Sequence, residues 1–370
     1  MIRVLSVFGT RPEAIKMAPV VQALARQPGV VSRVCVTAQH REMLDQVLAL
    51  FAIKPDHDLN IMQERQSLSG VTSSALLGVE RVIMEERPDW VLVQGDTTTV
   101  LSASLAAFYQ RVKVGHVEAG LRTGNKLQPY PEEINRRLSD AIADMHFAPT
   151  ETARQNLLRE AIDPRSIIVT GNTVIDALMQ VVAQVRQGGA NPWQRPEMDG
   201  KRVIAVTAHR RENFGAPLEH ICDALLQIAR AYAKDVHIVY PVHRNPNVQD
   251  TVYPRLGEVS NISLVDPVDY RDMVALLDRS YLVLTDSGGL QEEAPSLGKP
   301  VLVLRETTER PEAVQAGTVA VVGTDTARIV SETARLLDDE ASYQRMAHAV
   351  NPYGDGQASG RIVRALVDSV

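Results

Sequence analysis

Aromatic residues are scarce, at 4% of the chain, and the apolar remainder is mostly Val, Leu, Ala and Ile. That mixture suits buried parallel strands covered by helices. Only two cysteines occur, Cys35 and Cys222, far apart and without a CxxC pair. Both lie in apolar runs, so each reads as a small core residue rather than a ligand or disulfide partner. No long basic run offsets the net charge of -6, which argues against a nucleic-acid partner. There is no apolar run of about 18 residues and no hydrophobic leader before the first polar turn, so the expectation is a cytoplasmic chain with no membrane partner. No GxGxxG follows a strand. Gly354-Asp355-Gly356 with Gly360 comes near the pattern, but it precedes a terminal helix. With no GxxxxGK[ST], no HExxH and nine scattered histidines, neither a dinucleotide, nor ATP on a P-loop, nor a metal is expected.

What is present is strict alternation. Short β-rich runs (Ile2 to Phe8, Trp90 to Val93, Val112 to Val117) are separated by amphipathic segments such as Glu13 to Arg26, Leu68 to Glu86 and Pro131 to Ala143. The pattern pauses at Gly188 to Gly200, which has three Gly and two Pro in thirteen residues and reads as a linker. It then resumes from Arg202 to Val322 and closes with two helices, about Thr326 to Asp338 and Gln357 to Val367. The class is therefore α/β, with two Rossmann-like doubly wound domains. The expected bounds are 1–171 plus 352–370 for the first domain and 172–351 for the second. In this architecture ligands bind beyond the carboxyl ends of the strands, here in a cleft between two such halves.

The stretch from Tyr281 to Glu293, YLVLTDSGGLQEE, reads as a buried strand, a Ser287-Gly288-Gly289 turn and the start of a helix. Unpaired N–H groups and the helix dipole suit a diphosphate there, and glycine lets it approach. A tight packing turn is the alternative. Other strand ends carry polar residues. Arg11 and Lys16 follow the first strand, although Lys16 also reads as an exposed helix lysine. Asp96 reads as a helix N-cap that could also face the cleft. Glu118 ends an apolar strand, where a carboxylate is costly unless paired or functional. Glu132 opens a helix, which the dipole alone would favour. His209 is a cap or a catalytic group, and Arg310 is a further strand-end cation.

The segments Phe8 to Lys16, Gln94 to Thr98, His116 to Arg122, Pro131-Glu132-Glu133, Thr207 to Glu212 and Asp286 to Glu293 resemble the signature segments of the non-hydrolysing UDP-N-acetylglucosamine 2-epimerases. The likeness continues through Asn351 to Gly356. It implies a glycosyltransferase-B type fold with the active site in the interdomain cleft and a C-terminal helix crossing back to the first domain. It implies reversible conversion of UDP-N-acetylglucosamine to UDP-N-acetylmannosamine without NAD or metal, through elimination of UDP to 2-acetamidoglucal and re-addition. A homodimer and a role in envelope or capsule polysaccharide supply are further implications.

By position, the resemblance makes Asp96, Glu118 and Glu132 the acidic catalytic candidates, with His209 near the diphosphate. Arg11, Lys16, Ser287, Gly288, Gly289, Glu293 and Arg310 would bind substrate. Some bacterial members bind a second UDP-N-acetylglucosamine as activator. The positions resembling that site are Gln39, Arg65, Gln66, Glu132, Arg210 and His243, while Glu42 departs from its pattern. Met273 stands where some members carry an aromatic residue near uracil. A hydrolysing epimerase releasing free N-acetylmannosamine and UDP, a glycosyltransferase and a UDP-sugar-binding sensor are the competing readings.

Overall fold

The computed structural model describes residues 1–38, 41–61, 66–188 and 191–369, with the side chain of Glu42 outside that set. It divides into two compact units, one of Met1–Ala177 with Tyr353–Val370 and one of Leu178–Pro352.

The strands of the first unit are β1 (Ile2–Phe8), β2 (Val30–Val36), β3 (His57–Asp58), β4 (Trp90–Gln94), β5 (Lys113–Val117), β6 (Met145–Ala148) and β7 (Ile167–Val169). Its helices are α1 (Arg11–Arg26), α2 (Arg41–Leu50), α3 (Leu68–Glu86), α4 (Thr98–Tyr109), α5 (Glu132–Ile142), α6 (Glu151–Arg159) and the first turn of α7 (Thr173–Gln187). All pairings are parallel, in the order β3-β2-β1-β4-β5-β6-β7. The central strands read as continuous apolar runs because helices cover both faces. Val91, Leu92 and Val93 of β4 are fully buried, and each such side chain contributes about 1.5–3 kcal/mol by leaving water. Val91 and Val93 share a core with Ala103, Ala106 and Ala107 of α4, whose small side chains let the helix lie close to the sheet.

The second unit repeats the plan with β8 (Arg202–Thr207), β9 (Val236–Pro241), β10 (Ile262–Val265), β11 (Leu282–Thr285), β12 (Val301–Val303) and β13 (Val319–Val321). Its helices are α8 (Ala216–Ala231), α9 (Pro246–Leu256), α10 (Tyr270–Arg279), α11 (Gly288–Ser296), α12 (Pro311–Ala316), α13 (Thr326–Asp338) and α14 (Glu340–Ala347). The sheet is parallel in the order β10-β9-β8-β11-β12-β13. α14 is absent from the sequence expectation. Asp339 ends α13 and its side chain also caps α14, accepting from Ala341 N at 3.0 Å, so one residue separates two helices.

The Gly- and Pro-rich stretch 188–200 is not the joint between the units. Apart from Gly189 and Ala190, which lie outside the described residues, it belongs to the second unit. Trp193 anchors it, almost fully buried, with Nε1 donating to Asp272 O at 2.8 Å. The boundary falls inside α7 instead.

The terminal helix α15 (Ala358–Asp368) packs on α1 of the first unit. Its N-terminus is capped by Asp176 of α7, which accepts from Ala358 N, Ser359 N and Ser359 Oγ. Gly354 lies where a Cβ would stand 3.2 Å from Gly171 Cα, at φ +125°. Gly354, the first glycine of the stretch that came near a nucleotide-loop pattern, therefore serves a close crossing of two backbones. No described helix is long and apolar enough to cross a membrane.

Candidate active site

In each sheet the strand order reverses once, between β1 and β4 in the first unit and between β8 and β11 in the second. The loops leaving the strands on either side of such a point diverge and leave room for a ligand. Most of the residues singled out from the sequence stand at or beside these two points.

In the first unit, Glu13 ties two loops together. Its buried carboxylate accepts from Gly9 N and Thr10 N after β1 and from Thr97 Oγ1 after β4. Burial drives its pKa up, although these bonds oppose the rise. Thr97, not Asp96, caps α4, accepting from Val100 N. Asp96 is thereby released from capping and pairs with Arg136 of α5, while its carbonyl accepts from Asn135 Nδ2 at 3.0 Å.

Glu118 follows β5 with φ +67°, the left-handed region that non-glycine residues avoid. Two successive amides, Glu118 N and Ala119 N, donate to the same Phe147 carbonyl and hold the turn. Backbone strain of this kind is sustained only where the surroundings over-determine it. The side chain is 6% exposed, and Oε1 lies 2.5 Å from Lys16 Nζ. Oε1 also accepts from Asn172 Nδ2 at 2.9 Å, and Oε2 accepts from Gln94 Nε2. Lys16 is therefore not an exposed helix lysine. It neutralises a strand-end carboxylate from the first turns of α1.

The adjacent pair Glu132-Glu133 separates into two functions. Glu133 is buried and accepts from Thr123 N and Gly124 N at 3.1 Å each, stapling the loop before α5. Glu132 is half-buried at the helix start, and its carboxylate has no hydrogen bond among the described residues. Arg11 is the first residue of α1, half-buried beside the Gly9-Thr10 turn.

In the second unit, Asp286 leaves β11 fully buried. Its Oδ2 accepts from His209 N at 2.7 Å, Arg210 N at 2.8 Å and Asn213 Nδ2 at 3.0 Å, drawing the loop after β8 against the end of β11. Its Oδ1 lies 3.6 Å from His209 Nδ1. The His209 ring stacks on His243, which follows β9, with centroids 5.3 Å apart. Burial, opposed by Asp286 and reinforced by His243 and Arg210, lowers the His209 pKa. The neutral form of the ring is thereby favoured.

Ser287 is the N-cap of α11, and its N–H is taken by Thr285 Oγ1 at 2.9 Å. A Cβ on Gly288 would come within 3.8 Å of Arg310 Nη2, and one on Gly289 within 3.8 Å of Glu293 Oε2. The turn is thus flanked by a guanidinium and a carboxylate. Arg310 pairs with Glu292, and Glu293 accepts from Tyr270 OH at 2.7 Å. An anion-accepting helix start beside a positioned carboxylate is suited to a phosphate with a neighbouring hydroxyl-bearing sugar. Of the positions resembling an activator site, Gln66 donates to Ile61 O, and Arg210 and His243 flank His209. Gln39 and Arg65 lie outside the described residues.

The UDP-N-acetylglucosamine 2-epimerase family model matches residues 22–367. The chain belongs to the UDP-N-acetylglucosamine 2-epimerase family. It is 59% identical over 372 residues to UDP-N-acetylglucosamine 2-epimerase from Escherichia coli (strain K12), covering 98% of each chain. The Salmonella typhimurium enzyme of the same name is 58% identical over 369 residues, again covering 98% of each. Among solved structures, that of the Neisseria meningitidis UDP-GlcNAc 2-epimerase bound to UDP-GlcNAc superimposes with a TM-score of 0.88 at 50% identity, covering 99% of this chain and 100% of that one.

Several polar partners in this epimerase-family chain escaped the sequence reading. Gln94, Asn172, Arg136, Tyr270 and Asp286 all contact site candidates. Asp286 alone carried a usable signal, as a carboxylate directly after a buried strand.

Proposed function

We propose that the chain interconverts UDP-N-acetylglucosamine and UDP-N-acetylmannosamine without hydrolysis. In the forward direction a base removes the C2 proton, the C2–H electrons form the C1=C2 double bond, and the C1–O bond breaks with its electrons leaving on UDP. The 2-acetamidoglucal then regains UDP at C1 as a proton is delivered to C2 from the opposite face. The sequence is redox-neutral and consumes no water. Asp96, Glu118 and Glu132 are assigned the proton transfers, for which positioned carboxylates typically contribute on the order of 10²–10⁴-fold each. Ser287, Gly288, Gly289, Glu293 and Arg310 are assigned UDP, with Arg11, Lys16 and His209 toward the diphosphate.

The observation that carries this reading is Glu118, a strained, nearly buried carboxylate at a strand end with an ammonium 2.5 Å away. The Neisseria relative's bound UDP-GlcNAc supports the substrate. The product would feed envelope or capsule polysaccharide assembly. Exposed Leu77, Met84, Phe108, Tyr109 and Leu138 on α3, α4 and α5 support a homodimer, which sedimentation would test. Incubation with UDP-N-acetylglucosamine tests the reaction. A mixture of two UDP-sugars is expected, and accumulation of free N-acetylmannosamine with UDP would replace this reading with a hydrolytic one.

A further inference from the structure

Behind the two carboxylates Asp96 and Glu118 lies a buried polar cluster whose proton count the geometry decides. His116 of β5 is fully buried. Its Nδ1 is 2.6 Å from Asp140 Oδ1, and its Nε2 is 2.7 Å from the Gly95 carbonyl oxygen. Asp140, on α5, accepts at its other oxygen from Arg122 Nη2 at 2.7 Å and Gly120 N at 3.3 Å. Those donors mark Asp140 as an ionised carboxylate, which can only accept. A carbonyl oxygen can only accept as well. A neutral ring has one donor and one lone pair, and would set that lone pair against an acceptor.

Both contacts are satisfied together only if both ring nitrogens carry protons. Burial by itself would strip the ring of its charge, but Asp140 and the Gly95 carbonyl outweigh it and raise the His116 pKa. Burial likewise opposes the charge on Asp140, and His116 with Arg122 overcomes it. The other titratable neighbours are Glu160, paired with Arg122, and His146 of β6, whose Nε2 lies 2.8 Å from the Asp140 carbonyl and whose pKa is lowered by burial.

The place this ring holds matters for the site. Gly95 sits at φ +81°, its N–H donates to Val117 O, and its C=O is held by His116, so both ends of one residue are fastened to β5. The next residue is Asp96. One residue beyond Val117 is Glu118.

We infer that His116 is a permanent imidazolium and a positioning residue, fixing the Gly95-Asp96 turn against the end of β5 so that Asp96 and Glu118 keep one relative placement. The inference rests on the assignment of proton transfer to these two carboxylates.

Ring protonation is read without substrate. In the full chain with ¹⁵N-labelled histidine, the His116 ring, assigned through the Gly115-His116-Val117 backbone, is expected to keep a proton on both nitrogens at a pH above the ordinary histidine value of ~6.5, where an ordinary histidine has lost one. A single ring N–H at that pH would overturn the inference. Asp140→Asn supplies the second readout. It is expected to lower kcat about tenfold or more while KM changes by about twofold or less, and to give kcat a decline with rising pH near the ordinary histidine value of ~6.5 that the wild type lacks. A folded Asp140→Asn protein with wild-type kcat and pH profile would also overturn it. If the wild type fails to exchange its C2 proton, the assigned chemistry falls, whereas the ring spectrum still decides the charge on His116.

Discussion

Lys16 Nζ stands 2.5 Å from Glu118 Oε1, with the two side chains 18% and 6% exposed. They are 102 residues apart in sequence and meet because β1 and β5 flank β4 in the same parallel sheet. Replacing Lys16 by Met removes a cation from a nearly buried carboxylate, and burial then favours the protonated form. The expected result is a fall in kcat of about 10²-fold near neutral pH, with partial recovery as pH rises. An unshifted pH–rate profile with wild-type kcat would separate Lys16 from the chemistry.

Neighbouring Glu132 and Glu133 should give opposite phenotypes. Glu133→Gln weakens the bonds to Thr123 N and Gly124 N and is expected to cost about 2 kcal/mol of stability. Glu132→Gln is expected to leave the denaturation midpoint unchanged and lower kcat by about 10²–10⁴-fold. Denaturant titration and initial rates on the two proteins decide the matter. A stability loss in Glu132→Gln comparable to that in Glu133→Gln would assign both carboxylates to structure.

His209 titrates below the ordinary histidine value because its ring is desolvated and neighbours His243 and Arg210. In the unfolded chain it binds its proton first, so this group's effect on stability is absent above ~6.5 and becomes destabilising as pH falls below it. The acid limb of kcat/KM is likewise expected below ~6.5. His209→Asn should remove that limb together with most of the activity. An acid limb retained in the variant would assign it to another group.

Gly354→Ala places a Cβ 3.2 Å from Gly171 Cα at φ +125°. Strain and overpacking together should cost about 3 kcal/mol, read as a lower denaturant midpoint of the first unit. A loss of less than about 1 kcal/mol would mean that the crossing of the two chains has slack.

Alternation of apolar runs and amphipathic segments made the two parallel sheets legible, because buried parallel strands need no polar face. Polar residues directly after strands marked the loops now found at the two strand-order reversals. What stayed hidden depends on contacts distant in sequence. Asp96 reads as a cap until Thr97 is seen to take that position. Lys16 reads as a surface lysine until Glu118 is beside it. Glu132 and Glu133 are chemically identical in a linear reading, and only the folded loop shows that one staples backbone amides. Gly188 to Gly200 has the composition of a linker, yet the burial of Trp193 and Met198 fastens it to the second unit.

The most direct test of the central claim is the fate of the C2 proton. UDP-N-acetylglucosamine incubated with the protein in D₂O is expected to take up deuterium at C2 in both UDP-sugars, at a rate no slower than their interconversion. Interconversion without deuterium at C2 would contradict proton abstraction and the elimination path with it.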